Sequence, residues 1–255
     1  MEQIFAQKRL IIAGHRGVRA LFPENTLCSF QAAIDLGLDM IETDLQLTAD
    51  HEIVLIHDDT LDRTTNGSGP VGQYTLQELR RLDAGIRFSP AFTGQTIPTL
   101  KELCELVRPC PDLLLNIEIK TLTQETVDRA VTLLSRCGLM GRCVFSSVGP
   151  SILAYLHDCY GVRTQGFTQR FFEACHMKFE EGPDGTYSKM SAVGLEVSEV
   201  TQESIRFFRE RGIEPWAWCP DDEASVSLCL EHGVNLVTCN EPHAALNLRR
   251  ALFSQ

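Results

Sequence analysis

The sequence predicts a (β/α)8 barrel, eight strand–helix units in a single domain over residues 1–255, with a small insertion at 58–98. Three observations predict it. Short apolar strands alternate with helical patterns along nearly the whole chain. Polar residues recur at the C-terminal ends of those strands, the positions a barrel gathers into one mouth. No GxGxxG follows the first strand, which argues against a doubly wound open sheet.

The elements run as follows. Leu10–Gly14 is an apolar strand ending in His15-Arg16-Gly17. Pro23-Glu24-Asn25-Thr26 opens a helix with Asn25 or Thr26 as N-cap, and Gly37 ends it. Met40–Gln46 is the second strand. Its Glu42 and Asp44 stand two apart, so their side chains share a face. A tight turn at Ala49-Asp50-His51-Glu52 returns the chain through Ile53–Ile56. Centred on Asp50-His51, that turn sets His57 opposite Asp44. Residues 58–98 break the rhythm with Thr64–Pro70 and one short helical pattern at Leu76–Leu82; long excursions of this kind carry function or motion. Alternation then resumes. Strands are expected at Leu113–Lys120, Cys143–Ser147, Val162–Thr168, Val193–Val197, Glu214–Cys219 and Asn235–Asn240. The helices are expected at Leu100–Val107, Gln124–Cys137, Ser151–Cys159, Arg170–Phe179, Gln202–Arg211, Asp221–His232 and Pro242–Leu252. The aromatic stretch Phe167–Phe179 reads as a helix packed on the barrel or as an apolar rim to the mouth.

Composition excludes several classes. The net charge is −11 and there is no basic tract, so non-specific nucleic-acid binding and an anionic membrane surface are both poor fits. No apolar run approaches the ~18 residues of a membrane span, so no stable membrane insertion is expected. The first residues show no apolar leader core. Ten cysteines without a CxxC pair read as reduced thiols in a cytoplasmic chain.

Chemistry concentrates in Met40–Asp58. Two carboxylates on one strand face beside an imidazole repel one another and are not a stability device. A bound cation is the simplest physical remedy.

The motifs His15-Arg16-Gly17, Pro23-Glu24-Asn25-Thr26, Glu42-x-Asp44, His57-Asp58-Asp59-Thr60-Leu61-Asp62-Arg63-Thr64-Thr65-Asn66-Gly67 and Glu118-Ile119-Lys120 together resemble the glycerophosphodiester phosphodiesterases. The resemblance spans about Leu10 to Leu246. It implies a barrel with a subdomain inserted after the second strand, and hydrolysis of a glycerophosphodiester, a small-molecule substrate, to glycerol 3-phosphate and an alcohol. It implies a divalent cation held by Glu42, Asp44 and Glu118, with His15 and His57 as the acid–base pair. An all-oxygen donor set suits Mg2+ or Ca2+, and Mn2+ as well. Arg16 and Lys120 are the bases placed to hold phosphate oxygens, and Lys120 reads equally as the salt-bridge partner that orients Glu118. Glu196 is read as a metal or substrate contact or as an ion-pair partner of Lys120 or Arg16, and Trp218 as a wall for the glycerol carbons or as barrel core. Glu24 and Asn25 are read as positioning groups or helix caps, Asp58 as a group that orients a histidine or simply starts the insertion. Two places depart from the family pattern: Trp218-Cys219-Pro220-Asp221 stands where Trp-Thr-Val-Asn is usual, and Cys239-Asn240 where Thr-Asp is usual. Both lie away from the carboxylates and histidines and bear on the alcohol. The competing readings are a lysophospholipase D, marked by an apolar groove at the mouth, and a non-enzymatic phosphate-ligand protein, marked by loss of the histidines or carboxylates.

Overall fold

The computed structural model describes residues 10–253. The N-terminal stretch searched for a leader lies largely outside them. Among the described residues no helix is long and apolar enough to cross a membrane.

β1 (Ile11–Gly14) is fully buried and runs into the turn that carries His15. α1 (Leu27–Asp35) is capped by Thr26, whose hydroxyl accepts the Ser29 amide. β2 (Met40–Leu47) and β3 (Ile53–Leu55) form the hairpin, α2 (Leu76–Leu79) is a single turn, and α3 (Leu100–Val107) precedes β4 (Leu114–Ile119) and α4 (Gln124–Arg136). Then follow β5 (Cys143–Ser146), α5 (Pro150–Tyr160), β6 (Thr164–Phe167), α6 (Gln169–Ala174), β7 (Ala192–Glu196), α7 (Gln202–Arg209), β8 (Glu214–Trp218), α8 (Glu223–Glu231), β9 (Leu236–Cys239) and α9 (His243–Phe253).

The sheet order is β1-β9-β8-β7-β6-β5-β4-β2-β3, with β1 also paired to β2. Without the antiparallel β3, this is a closed parallel (β/α)8 barrel ringed by helices. By internal packing the residues divide into two compact units, Gly14–Cys143 and the remainder.

In Gly14–Cys143, β2 and β4 pair in parallel over six residues, from Met40↔Leu114 to Leu45↔Ile119. Both strands are almost wholly buried, so their apolar residues need no alternation. Residues of the 54–97 stretch build their own apolar cluster from Val54, Ile56, Leu61, Val71, Leu79 and Ile97. In the other unit, β6, β7 and β8 pair in parallel register, and Trp216 in the middle of β8 is buried, its indole N–H donating to Thr238 at 2.7 Å. Burying a large apolar side chain stabilises by roughly 1.5–3 kcal/mol. All ten cysteines are free.

Two expectations change. The hairpin pairs Leu45↔Leu55, Gln46↔Val54 and Leu47↔Ile53, so its register is one residue off the sequence reading. The cause is His51, which takes a left-handed conformation at φ 62°. It closes a three-residue loop under a Thr48 amide bond to the Glu52 carbonyl, a type of hairpin turn that composition alone does not mark. Asp44 therefore faces Ile56, whose amide donates to its carbonyl at 3.1 Å, and His57 leaves the ladder. The helix expected at Arg170–Phe179 stops at Ala174, and His176 turns left-handed just beyond it. Phe167 and Phe172 are buried, so this aromatic stretch packs inward at those two positions.

Candidate active site

Parallel register explains why three carboxylates meet. Asp44 lies directly across from Glu118, and Glu42 lies two residues earlier on the same face of β2. One oxygen from each of the three falls within 4.8 Å of the others. Glu42 and Asp44 are buried, and Glu118 is nearly so. Glu42 Oε1 and Asp44 Oδ1 are buried without a hydrogen-bond partner. Unsatisfied buried carboxylate oxygens of this kind are costly and call for a ligand. The cluster could therefore hold a divalent metal ion.

The electrostatics are asymmetric. Burial, together with Asp44 and Glu118, pushes the Glu42 carboxyl well above its ordinary range, against the pull of Arg16. Burial also pushes Asp44 upward, but Lys120, Arg16 and His57 outweigh it and hold Asp44 down at about 2. Lys120 Nζ sits 2.7 Å from Glu118 Oε1 and 3.5 Å from Asp44 Oδ1. Burial lowers its ammonium, and Glu118 and Asp44 bring it back up to about 12. Lys120 is thus a fixed cation that also orients Glu118.

The turn after β1 is rigid. Arg16 takes a left-handed backbone at φ 53°, and its amide donates to Glu42 Oε2 at 2.8 Å. Its carbonyl accepts from the Asn25 amide and from Ser29 Oγ. Gly17 follows at φ 87°, where an added Cβ would lie 2.2 Å from Ser29 Oγ, so only glycine fits. The Arg16 guanidinium reaches Glu24 Oε1 at 2.8 Å and Asp44 Oδ2 at 3.3 Å. Its Nε is another buried group without a hydrogen bond. His15 Nε2 stands 3.8 Å from Glu42 Oε2. Asn25, also left-handed at φ 54°, donates to Asp44 Oδ2 and accepts from the Thr43 hydroxyl, both at 2.8 Å. It supports Asp44 directly, and Thr26 alone caps α1.

The return of the hairpin supplies the second histidine. His57 Nδ1 lies 2.6 Å from Asp58 Oδ1. Arg63 grips Asp58 through Nε at 2.7 Å and Glu24 through both terminal nitrogens at 2.8 Å. Burial raises Glu24, but the Arg63 and Arg16 guanidinium groups bring it down to about 2. The same Arg63 and His57 hold Asp58 far below the carboxylate range, against a smaller effect of burial. A chain of charge-assisted bonds therefore runs His57–Asp58–Arg63–Glu24–Arg16.

Seven of the expected site residues thus gather in Gly14–Cys143: His15, Arg16, Glu42, Asp44, His57, Glu118 and Lys120. Glu196 and Trp218 belong to the other unit. Glu196 is exposed at the end of β7, and its carboxylate caps the turn Val197–Glu199. Trp218 ends β8 and meets Phe167 and Phe171 edge-on, with ring centroids at 6.4 and 5.8 Å. Its Nε1 is buried and lacks a hydrogen bond. The sequence reading gave no role to Arg63. Its only signal was a place in the run from His57 to Gly67.

The glycerophosphoryl diester phosphodiesterase family profile matches residues 15–244. A glycerophosphodiester phosphodiesterase of Caldanaerobacter subterraneus is 33% identical over 250 residues, covering 95% of this chain and 98% of its own. The crystal structure of a glycerophosphodiester phosphodiesterase from Agrobacterium tumefaciens is 26% identical with a TM-score of 0.77, covering 92% of this chain and 98% of that one. An Oleispira antarctica phosphodiesterase, solved with the product sn-glycerol-3-phosphate, shares the fold at a TM-score of 0.81 and 24% identity, with 95% and 97% of the two chains covered.

Proposed function

The chain belongs to the glycerophosphoryl diester phosphodiesterase family, and we propose that its site hydrolyses a small-molecule glycerophosphodiester to glycerol 3-phosphate and an alcohol. The observation that carries this reading is the convergence of three carboxylates, with two orphaned buried oxygens, beside Arg16, Lys120 and two histidines. A phosphodiester brings a negative charge that the acidic cluster would repel. Glu42, Asp44 and Glu118 reconcile the two by holding Mg2+ or Ca2+. When bound, the ion neutralises a non-bridging oxygen and favours charge built up in the transition state.

The chain's own groups do the rest. Arg16 presents Nε toward the cluster, fixed by Glu24 from behind, and receives a phosphate oxygen. Lys120 adds a point charge while keeping Glu118 in place. Asp58 holds His57 through Nδ1, which leaves Nε2 to move a proton. His15 stands against Glu42 as its counterpart. One histidine takes the proton from the attacking oxygen, and the other delivers one to the leaving alcohol oxygen as its P–O bond breaks; the attacker is either water itself or the glycerol 2-hydroxyl, whose cyclic phosphate product water then opens to glycerol 3-phosphate. Trp218 and Glu196 serve the alcohol or glycerol carbons as secondary contacts. Residues 1–255 act as one catalytic domain with 58–98 inserted, working in the cytoplasm.

The test is release of glycerol 3-phosphate from glycerophosphocholine with Mg2+, with Ca2+ and with EDTA. Release is expected only with metal. His15→Ala and His57→Ala each lower kcat by about 100- to 10,000-fold, the usual worth of a general acid or base. No release with any metal, from folded protein, would sink the reading.

A further inference from the structure

The turn after β1 and the insertion together carry a cationic feature, and two of its three arginines, Arg19 and Arg87, have no part in the hydrolysis described above. Arg19, Arg63 and Arg87 line one cavity of about 170 Å3, with Glu24 and Phe88 in its wall. The chain has 34 acidic against 23 basic residues, so three guanidinium groups around a single carboxylate run against its composition. That carboxylate is already taken, since Glu24 accepts from both Arg16 and Arg63. Arg87 is anchored from behind by its Nε bond to the Thr65 carbonyl at 2.9 Å, and it has no carboxylate partner among the described residues. Arg19 comes no nearer to Glu24 than 3.9 Å. Phe88 is 42% exposed and held in place by edge-on contact with Phe92, which packs on Phe22 in turn.

The cavity adjoins the reaction centre. A narrow crevice lined by His57 shares Glu24, Thr64 and Ala84 with it. Arg63 also touches Asp58, the partner of His57, in the same arrangement.

We propose that this cavity is a subsite for a second anionic group, a phosphate or carboxylate, carried by the alcohol half of the substrate. The assignment rests on the hydrolase reading and deepens it. A glycerophosphodiester seated at the carboxylate cluster sends its alcohol past His57. An anion at the far end of that alcohol meets Arg87, whose Nε alone is engaged, and Arg19, which has only a 3.9 Å approach to Glu24 among the described residues; charge-assisted pairs of this kind give both affinity and orientation. Phe88 covers the intervening carbons.

The test compares glycerophosphoglycerol with the same compound bearing a terminal phosphate. In the wild-type protein with Mg2+ at low salt, the phosphate-bearing compound is expected to have about ten-fold higher kcat/KM, the equivalent of one good charge-assisted contact. Arg87→Gln and Arg19→Gln each shrink that ratio to about two-fold or less, and salt shrinks it in the wild type. Titration of both compounds into His15→Ala protein with Mg2+ reads the same ratio as affinity, with turnover largely suppressed. Equal kcat/KM and equal affinity for the two compounds would overturn the subsite. So would a preference that both substitutions leave intact. Failure of turnover with the affinity ratio preserved would instead overturn the hydrolase reading and leave an anion site. Binding to phosphatidylglycerol vesicles, weakened by Arg87→Gln without any ratio between the soluble compounds, would place these arginines on a lipid surface and overturn the assignment to the alcohol.

Discussion

The two histidines of the site stand on supports of different kinds. On one side, the β2–β4 ladder sets Glu42, Asp44 and Glu118 by backbone register, in nearly full burial. His15 and Arg16 join them through a turn locked by Gly17 and Ser29. On the other side, His57 leaves the hairpin and is held by side chains alone, Asp58 and then Arg63, in a loop where Arg63 is 44% exposed. The ladder positions charges that repel one another. The loop positions charges that are fully paired. A register can force repelling groups together because each strand is fixed by its whole length; a loop side chain stays only where its own bonds hold it. The first support should fail in an all-or-none way and the second by degrees.

The largest effect is expected from Asp44→Asn. Asp44 is ion-paired with Arg16, hydrogen-bonded by Asn25 and faced by Lys120, and it is fully buried. The substitution keeps the shape and removes a metal ligand and a charge. Activity should fall by about 1,000-fold or more, on the scale of losing an electrostatic contribution to a phosphoryl transition state. Calorimetry should show weaker Mg2+ binding, while the remaining amide oxygen still accepts from Asn25. Activity within ten-fold of wild type would mean that the ladder does not build the ion site.

How much of this was legible depends on which support carried it. The ladder side was: Glu42 and Asp44 share a face by simple alternation, and Glu118 follows once neighbouring strands are aligned. The eight strands could also be counted from apolar runs, although α6 ended early. The loop side was legible only in part: Asp58 reads as a group that orients a histidine and Glu24 as one that positions Arg16, and both contacts are present. His57 was assigned through a hairpin register that a left-handed His51 displaces by one residue, and a non-glycine residue gives no sign of that conformation. Asn25 read equally well as a cap because it precedes Thr26, a competent cap, and only tertiary contact with Asp44 separates the two. Arg63 sits in irregular chain, where no period points a side chain anywhere. The cavity lined by Arg19 and Arg87 joins residues far apart in sequence and had no local signature.

An intermediate effect is expected from Asp58→Asn. It keeps a side chain of the same size beside His57 but removes the carboxylate that fixes Nδ1 and pairs with Arg63. The predicted loss is about 10- to 100-fold, the range seen when an outer partner of a functional histidine is removed, and it should fall on kcat more than KM. The pH profile of kcat should shift as well, a readout that loss of packing would not give. Equal losses in kcat for Asp58→Asn and His57→Ala would mean that the loop is as brittle as the ladder and would erase the distinction.

The smallest effect is expected from Glu24→Gln, and it reads as stability against pH. Glu24 sits at about 2 in the folded chain against an ordinary 4.5, because two guanidinium groups outweigh its burial. A carboxyl lowered on folding adds stability that is complete above its unfolded value and is lost as pH falls from about 4.5 toward 2. The full shift overstates the contribution, since Arg63 is partly exposed and screened. A cost of about 1 kcal/mol, or roughly 2–4 °C in Tm for a chain of this size, is the expected scale at neutral pH. The gap between wild type and Glu24→Gln should then close as the melting pH is lowered from 5 toward 3, and high salt should narrow it at pH 7 because Arg63 faces water. A gap that stays constant across that range would assign the loss to packing around Glu24. The loop would then be held by shape, like the ladder, and the graded response expected of Asp58→Asn would lose its basis.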